Sequence, residues 1–345
     1  MKFFPKAIIS LILAIFSISA IAQDKSTAAD LIKQGVQLND QGNYAGAINK
    51  YNQALKIDPE NVQANYEIAF SLFSSGKGND GIPYIEKTIK GSDSISLTAA
   101  SYDLLGSIYD QGRQTEKAIE AYKNGIKLNP KYQRLYYNLG ITYFRNKQYP
   151  EAEANAIEAI KLDPKHASSQ RMYALVAFHQ NKRMPALMAF CNFLILEPQT
   201  ARSAEAFGNI QHILQGGVHK DGKGNNTIML SPKDSKENGS LNLAISVVTL
   251  SAQQKKLTGT DLLEYELKSI FTITGEQSAA KTEKDFFWKF YADYFYQLSQ
   301  SSNMPAFTRL ISLSVNRDIN SKWMSDNEKL VKELDSWVAT TSRSF

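Results

Sequence analysis

The chain is poor in the residues from which most catalytic and metal centres are built. It has one cysteine, Cys191, and four histidines in 345 residues. A single cysteine excludes a disulfide framework within the chain and any multi-cysteine zinc or iron–sulfur site. His166 follows a proline turn, and His212 and His219 are parted by Gly216 and Gly217, with no carboxylate at helical spacing from both. No metal or cofactor site is therefore expected. The sequence has no G-x-S-x-G nucleophile elbow and no H-E-x-x-H zinc motif. The stretch from Gly217 to Gly224 approaches a phosphate-binding loop but ends in glycine, where Ser or Thr must offer a hydroxyl to magnesium. Cys191 lies beside Phe190 and Phe193 and reads as a packed thiol, not a nucleophile. No catalytic residue is assigned, and an enzyme is not expected.

Charge of one sign is scarce too. Lys and Arg total 39 against 34 Asp and Glu, a net of +5, or about +3 once Lys2 and Lys6 leave with the leader described next. So small a surplus provides no basic face for nucleic acid. The long apolar run is Ala7–Ala20, shorter than the ~20 residues of a membrane span. It follows Lys2 and Lys6 and ends in Ala20-Ile21-Ala22, an A-x-A cleavage site. The expectation is a cleaved signal peptide over 1–22 and an exported chain, periplasmic or secreted, with no transmembrane segment after cleavage. The low cysteine content points to a bacterial envelope.

The chain does contain a repeat. Lys56-Ile57-Asp58-Pro59, Lys127-Leu128-Asn129-Pro130 and Lys161-Leu162-Asp163-Pro164 end alike, and Leu196-Glu197-Pro198 is a looser fourth. Pro130, Pro164 and Pro198 are spaced by 34 residues, while Pro59 to Pro130 is 71, two repeats, the first without its proline, plus three inserted residues. Small residues keep the same step at Gly35, Ala69, Gly106, Gly140 and Ala174, and again at Ala47, Gly81, Ala118, Ala152 and Ala186. Small side chains let two helices approach closely, and the residue before proline is pushed out of the α region, which ends the second helix. A lone helix pair cannot bury its apolar flank, so such units stack.

This pattern resembles the tetratricopeptide repeat. The resemblance implies an all-α solenoid of about five helix–turn–helix units, at 28–61, 62–95, 99–132, 133–166 and 167–200, together spanning 28–200. Unit two departs from it: Gly81, Pro83, Thr88 and Asp93 occupy positions where alanine, a helix interior, a small residue and proline belong. A weak second helix is expected there.

The resemblance also implies that first helices line a concave groove through positions 2, 5, 9, 12 and 13 of each unit. These give Gln63, Tyr66, Phe70 and Phe73, then Asp103, Ser107 and Asp110, then Arg134, Tyr137, Ile141, Phe144 and Arg145. The fifth unit gives Arg171, Leu175, Phe178 and His179. The basic clamp that some members use on chaperone carboxyl termini is missing, with Ile32 and Val36 in its place. The partner-binding groove is assigned to Tyr66, Phe70, Phe73, Arg134, Tyr137, Ile141, Phe144, Arg145, Arg171 and Phe178. Its occupant is either an external peptide with apolar anchors and some negative charge or the chain's own C-terminal region.

Beyond the repeat, 201–215 reads as a capping helix ended by Gly216-Gly217. The polar stretch 216–240 reads as a flexible loop, and 241–345 as a small helical domain with helices near 241–255, 261–274, 283–299, 304–315 and 325–338. The aromatic run from Phe286 to Tyr296 is apolar nearly all round and is expected in a core. The functional expectation is an exported scaffold or adaptor for a protein or peptide partner. The alternatives are a structural subunit of an envelope complex with a self-occluded groove, and a ligand-binding or catalytic activity in the C-terminal helices.

Overall fold

A computed structural model describes residues 26–220, 222, 226–228 and 236–345. The leader expected over 1–22 lies outside them, as does part of the stretch 217–224. The chain forms two compact units, one ending at Thr142 and one running from Tyr143 to Phe345. Each is described by itself, and the boundary falls within helix α7 (Gln133–Arg145).

The first unit is a succession of antiparallel helix pairs: α1 (26–40) with α2 (Tyr44–Ile57), α3 (Val62–Ser74) with α4 (Gly78–Gly91), and α5 (Ile95–Gln111) with α6 (Thr115–Leu128). Asn43, Asn61 and Ser94 cap α2, α3 and α5 through side-chain oxygens that accept orphan backbone N–H groups. The small residues do what close packing requires. A Cβ on Gly35 would stand 2.3 Å from Tyr51 Cε1, and one on Gly106 would stand 2.5 Å from Tyr122 Cε1.

The second helix of unit two is complete despite the departures in its sequence. α4 is unbroken over 14 residues with Pro83 inside. Pro83, the sixth residue of α4, removes one intrahelical bond, Gly81 seats α4 on the Ala69 backbone, where a Cβ would meet Cα at 3.1 Å, and the Thr88 hydroxyl donates to the Val62 carbonyl at 3.1 Å. The inserted residues extend α5, which starts at Ile95, ahead of position 99.

In the second unit α8 (Tyr149–Leu162) packs on α9 (Ala167–His179), and α9 on α10 (Arg183–Leu196). Every residue of α10 from Met184 to Leu194 is buried, including Cys191, whose thiol is pushed up by burial. An all-round apolar helix needs partners on every side. They are α9, α11 (Ala201–Gln215), α12 (Lys236–Gln254), α15 (Met304–Ile311) and the π-turn Trp288–Ala292. α13 (Gly259–Ala279), α14 (Asp293–Ser299), α16 (Arg317–Asp326) and α17 (Glu328–Thr340) complete the unit.

Two expectations need correction. The stretch 216–240 is not simply a loop, because β1 (Val218–Lys220) pairs antiparallel with β2 (Asn226–Ile228) and α12 starts at Lys236. Its first turn carries polar residues without apolar periodicity, so the sequence pattern shows nothing there. The helix expected near 325–338 is α17, which begins at Glu328, but α16 ahead of it was not expected: it buries only Asn320 and offers no apolar stripe to read.

Arg183 ties α10 to its neighbours. Its Nη2 donates to the Ile213 and Gly216 carbonyls at 2.5 and 2.6 Å, and its Nη1 to Ser246 Oγ at 3.2 Å. A guanidinium so placed satisfies carbonyls that the end of α11 leaves unpaired.

Candidate functional site

The residues assigned to the groove lie on the first helices α3, α7 and α9. In the first unit Tyr66, Phe70 and Phe73 are half-buried and rest on the cluster of Ala69, Leu104 and Ile108. The Tyr66 and Phe70 rings are parallel within 4° with centroids 6.5 Å apart, as expected one turn apart on a helix. Burial pushes the Tyr66 phenol up to about 12, which keeps it a neutral donor. Tyr137 and Ile141 are half-buried on α7.

Arg134 is tied to a buried carboxylate through its Nε, with its side chain 56% exposed. Its Nε lies 2.9 Å from Oδ2 of Asp103, a carboxylate only 2% exposed. Asn138 Nδ2 donates to Oδ1 of the same group at 2.7 Å. Burial raises the Asp103 pKa, and Arg134 and Asn138 oppose the rise. Polar links also join successive units. Ser71 Oγ donates to Asn39 Oδ1 at 2.8 Å, and Thr142 Oγ1 to Asp110 Oδ1 at 3.2 Å. Each joins position 12 of one unit to position 10 of the next, a spacing of 32 residues that is visible in the sequence but carries meaning only once the packing is known.

In the second unit His179 is ringed by Phe144 at 5.3 Å, Tyr149 at 5.4 Å and Phe178 at 6.1 Å between centroids. Phe178 meets His212 of α11 edge-on at 5.7 Å. Arg171 Nη2 bonds Glu205 of α11 at 2.7 Å. Here α11 covers Phe178 and neutralises Arg171, while Arg145 is exposed in the last turn of α7.

The comparisons with known proteins match the repeat. A family model described as "TPR repeat" matches residues 35–76 and 106–147, and one described as "Tetratricopeptide repeat" matches 134–166. Residues 35–76 and 106–166 thus carry the tetratricopeptide repeat pattern. Tetratricopeptide repeat protein 6 of Homo sapiens is 30% identical over 135 residues, 39% of this chain and 25% of that protein. A TPR repeat-containing protein of Methanocaldococcus jannaschii is 26% identical over 218 residues, 59% of this chain and 37% of that one. The chain thus spans a quarter to about a third of the curated relatives it matches. Among solved structures, MamA is 26% identical with a TM-score of 0.43, covering 50% of this chain and 96% of its own. A thermophilic TPR protein of Thermus thermophilus is 20% identical with a TM-score of 0.44, covering 53% and 99%.

Outside the tetratricopeptide units, one residue escapes the sequence reading. Glu266 on α13 is 7% exposed. It has no hydrogen-bond or ion-pair partner among the described residues, and burial alone raises its pKa to about 7. The signal was present: Leu263, Leu267, Ile270 and Phe271 form the buried stripe of α13, and Glu266 sits inside it.

Proposed function

We propose that this chain is an exported scaffold that holds a protein or peptide partner in the groove lined by the first helices of its tetratricopeptide units. The observation that carries this reading is the strip of half-buried Tyr66, Phe70, Phe73, Tyr137 and Ile141 in the first unit. Large apolar groups left partly open beside a well-filled core mark a surface for another chain. A strip prearranged on helices lowers the entropic cost of ordering an extended or helical peptide. The pairing of Arg171 with Glu205 and of Arg134 Nε with Asp103 offsets part of the groove's positive charge and leaves apolar and aromatic anchors as the main contacts for a partner. Recognition is non-covalent and uses no cofactor. Export to the periplasm or beyond rests on Lys2, Lys6, the Ala7–Ala20 run and the A-x-A site.

The alternative of a structural envelope subunit with a self-covered groove draws support from α11 lying over Phe178. One experiment separates the two. The mature chain and a Tyr66→Ala/Phe70→Ala variant are used to capture partners from the exported fraction, with helical content followed by circular dichroism. Loss of the captured partner with helicity retained supports the scaffold; a variant that captures as well as its parent refutes it. N-terminal sequencing of the exported chain tests the leader, with Gln23 expected first.

A further inference from the structure

A cleft of about 180 Å³ opens in the second unit between α11, the start of α13 and the turn after α15. Its floor is apolar: Phe207, Leu214 and Leu263 are each at most 7% exposed. Its rim is polar, with Gln211, Gln215 and Asn316 exposed. Glu266 is among the residues lining this space, is 7% exposed as a residue, and has no partner among the described residues. A carboxylate taken out of water is costly unless donors replace the lost hydration. Two nearby cations are committed elsewhere: Arg309 pairs with Asp261 at 3.8 Å and lies over the Trp323 ring, and Arg183 holds the carbonyls at the end of α11.

The chemistry of the lining narrows what can supply those donors. Calcium takes six to eight oxygen ligands, and no group of three or more His, Cys, Asp or Glu residues suited to a metal occurs among the described residues. A guanidinium's planar fork is best met by two parallel acceptors and a flat apolar face. A primary ammonium is compact, carries three donors and is satisfied by one carboxylate with amide carbonyls at the rim. Its stem needs a short apolar floor, which the cleft has.

We propose that this cleft binds a primary alkylammonium, its head on the Glu266 carboxylate and its stem against Phe207, Leu214 and Leu263. This site is separate from the first-helix groove and stands or falls independently of it. The ammonium has two sources, a small free amine or a lysine side chain of another protein.

The test is calorimetric titration of the full chain with n-butylammonium chloride, with Nα-acetyl-lysine amide and with neutral 1-butanol, repeated with Glu266→Gln. Methyl resonances of Leu214 and Leu263 locate the binding. Saturable butylammonium binding is expected, with those methyls shifting, no comparable binding of butanol, and a loss of about tenfold or more in the Gln variant. Tighter binding of acetyl-lysine amide than of butylammonium assigns the site to a lysine side chain; the reverse order assigns it to a free amine. Butanol binding as tightly as butylammonium in the parent chain overturns the proposal whether or not the variant folds. So does an absence of binding by both amines, or unshifted methyls.

Discussion

Glu266 shows what burial does to a single ionisable group. In the unfolded chain its carboxyl ionises near the ordinary 4.5, while in the fold it holds its proton up to about 7. Between those values the native state binds the extra proton, so this residue's contribution to stability falls as pH rises from about 4.5 through about 7. Glu266→Gln keeps the shape and removes the ionisation. Thermal melts are expected to show the variant more stable than its parent at pH 8 and equal to it near pH 4. A gap of the same size at both pH values assigns the effect to packing. The opposite case is Asp103, whose burial is tolerated because Arg134 stands 2.9 Å away. Arg134→Ala leaves that carboxylate desolvated with only the Asn138 amide to offset its charge, with an expected loss of about 1–3 kcal/mol at neutral pH. The loss shrinks in acid, where Asp103 is protonated in both proteins, and denaturant titrations at two pH values measure the difference.

At the scale of the helix pair, one backbone position recurs. The turn between first and second helices has a left-handed residue in every unit: Gly42 (φ +75°), Gly76 (+80°), Arg113 (+56°), Lys147 (+59°) and Asn181 (+57°). Side chains other than glycine and asparagine are strained there. Lys147→Gly is expected to stabilise the protein by about 0.5–1 kcal/mol, relief of strain outweighing the extra freedom of the unfolded chain. Gly106→Ala acts in the other direction: its methyl would stand 2.5 Å from the Tyr122 ring, and overpacking of that kind costs about 1–3 kcal/mol. Chemical denaturation of both variants checks the two signs. The helix pairs were legible because each must fit its neighbour in the same way, which repeats the small residues and the Asp-Pro stops. Features used only once were not. Pro83 and Gly81 read as a flaw because their compensation, Ala69 and the Thr88–Val62 bond, lies across the pair. α16 was invisible because it buries only Asn320. Of the candidate site, the aromatic strip could be read, whereas the pairing of Arg134 with Asp103 and of Arg171 with Glu205 joins residues about one repeat apart, which no local pattern shows.

At the scale of the whole molecule, the two units bury their apolar surface in different ways. In the first unit each helix pair shields the flank of the next, so stability accrues from neighbour to neighbour along the chain. In the second, α10 is a hub whose residues from Met184 to Leu194 are all buried and whose neighbours come from as far along the chain as α15 and Arg343, which donates to Asn192. A hub opens only when everything on it has left, so within its unit α10 should exchange its amide hydrogens last. Arg183 sets how α11 and α12 join that hub, through the carbonyls of Ile213 and Gly216 and the hydroxyl of Ser246. Arg183→Ala removes charge-assisted bonds and leaves buried carbonyls unmet, a loss of about 3 kcal/mol or more. Native-state hydrogen exchange should then show α11 and α12 opening faster than in the parent, with α17, which Arg183 does not touch, exchanging at the parent rate. Equal slowing or quickening of all three helices would place the role of Arg183 in general packing instead of in the junction of α10, α11 and α12.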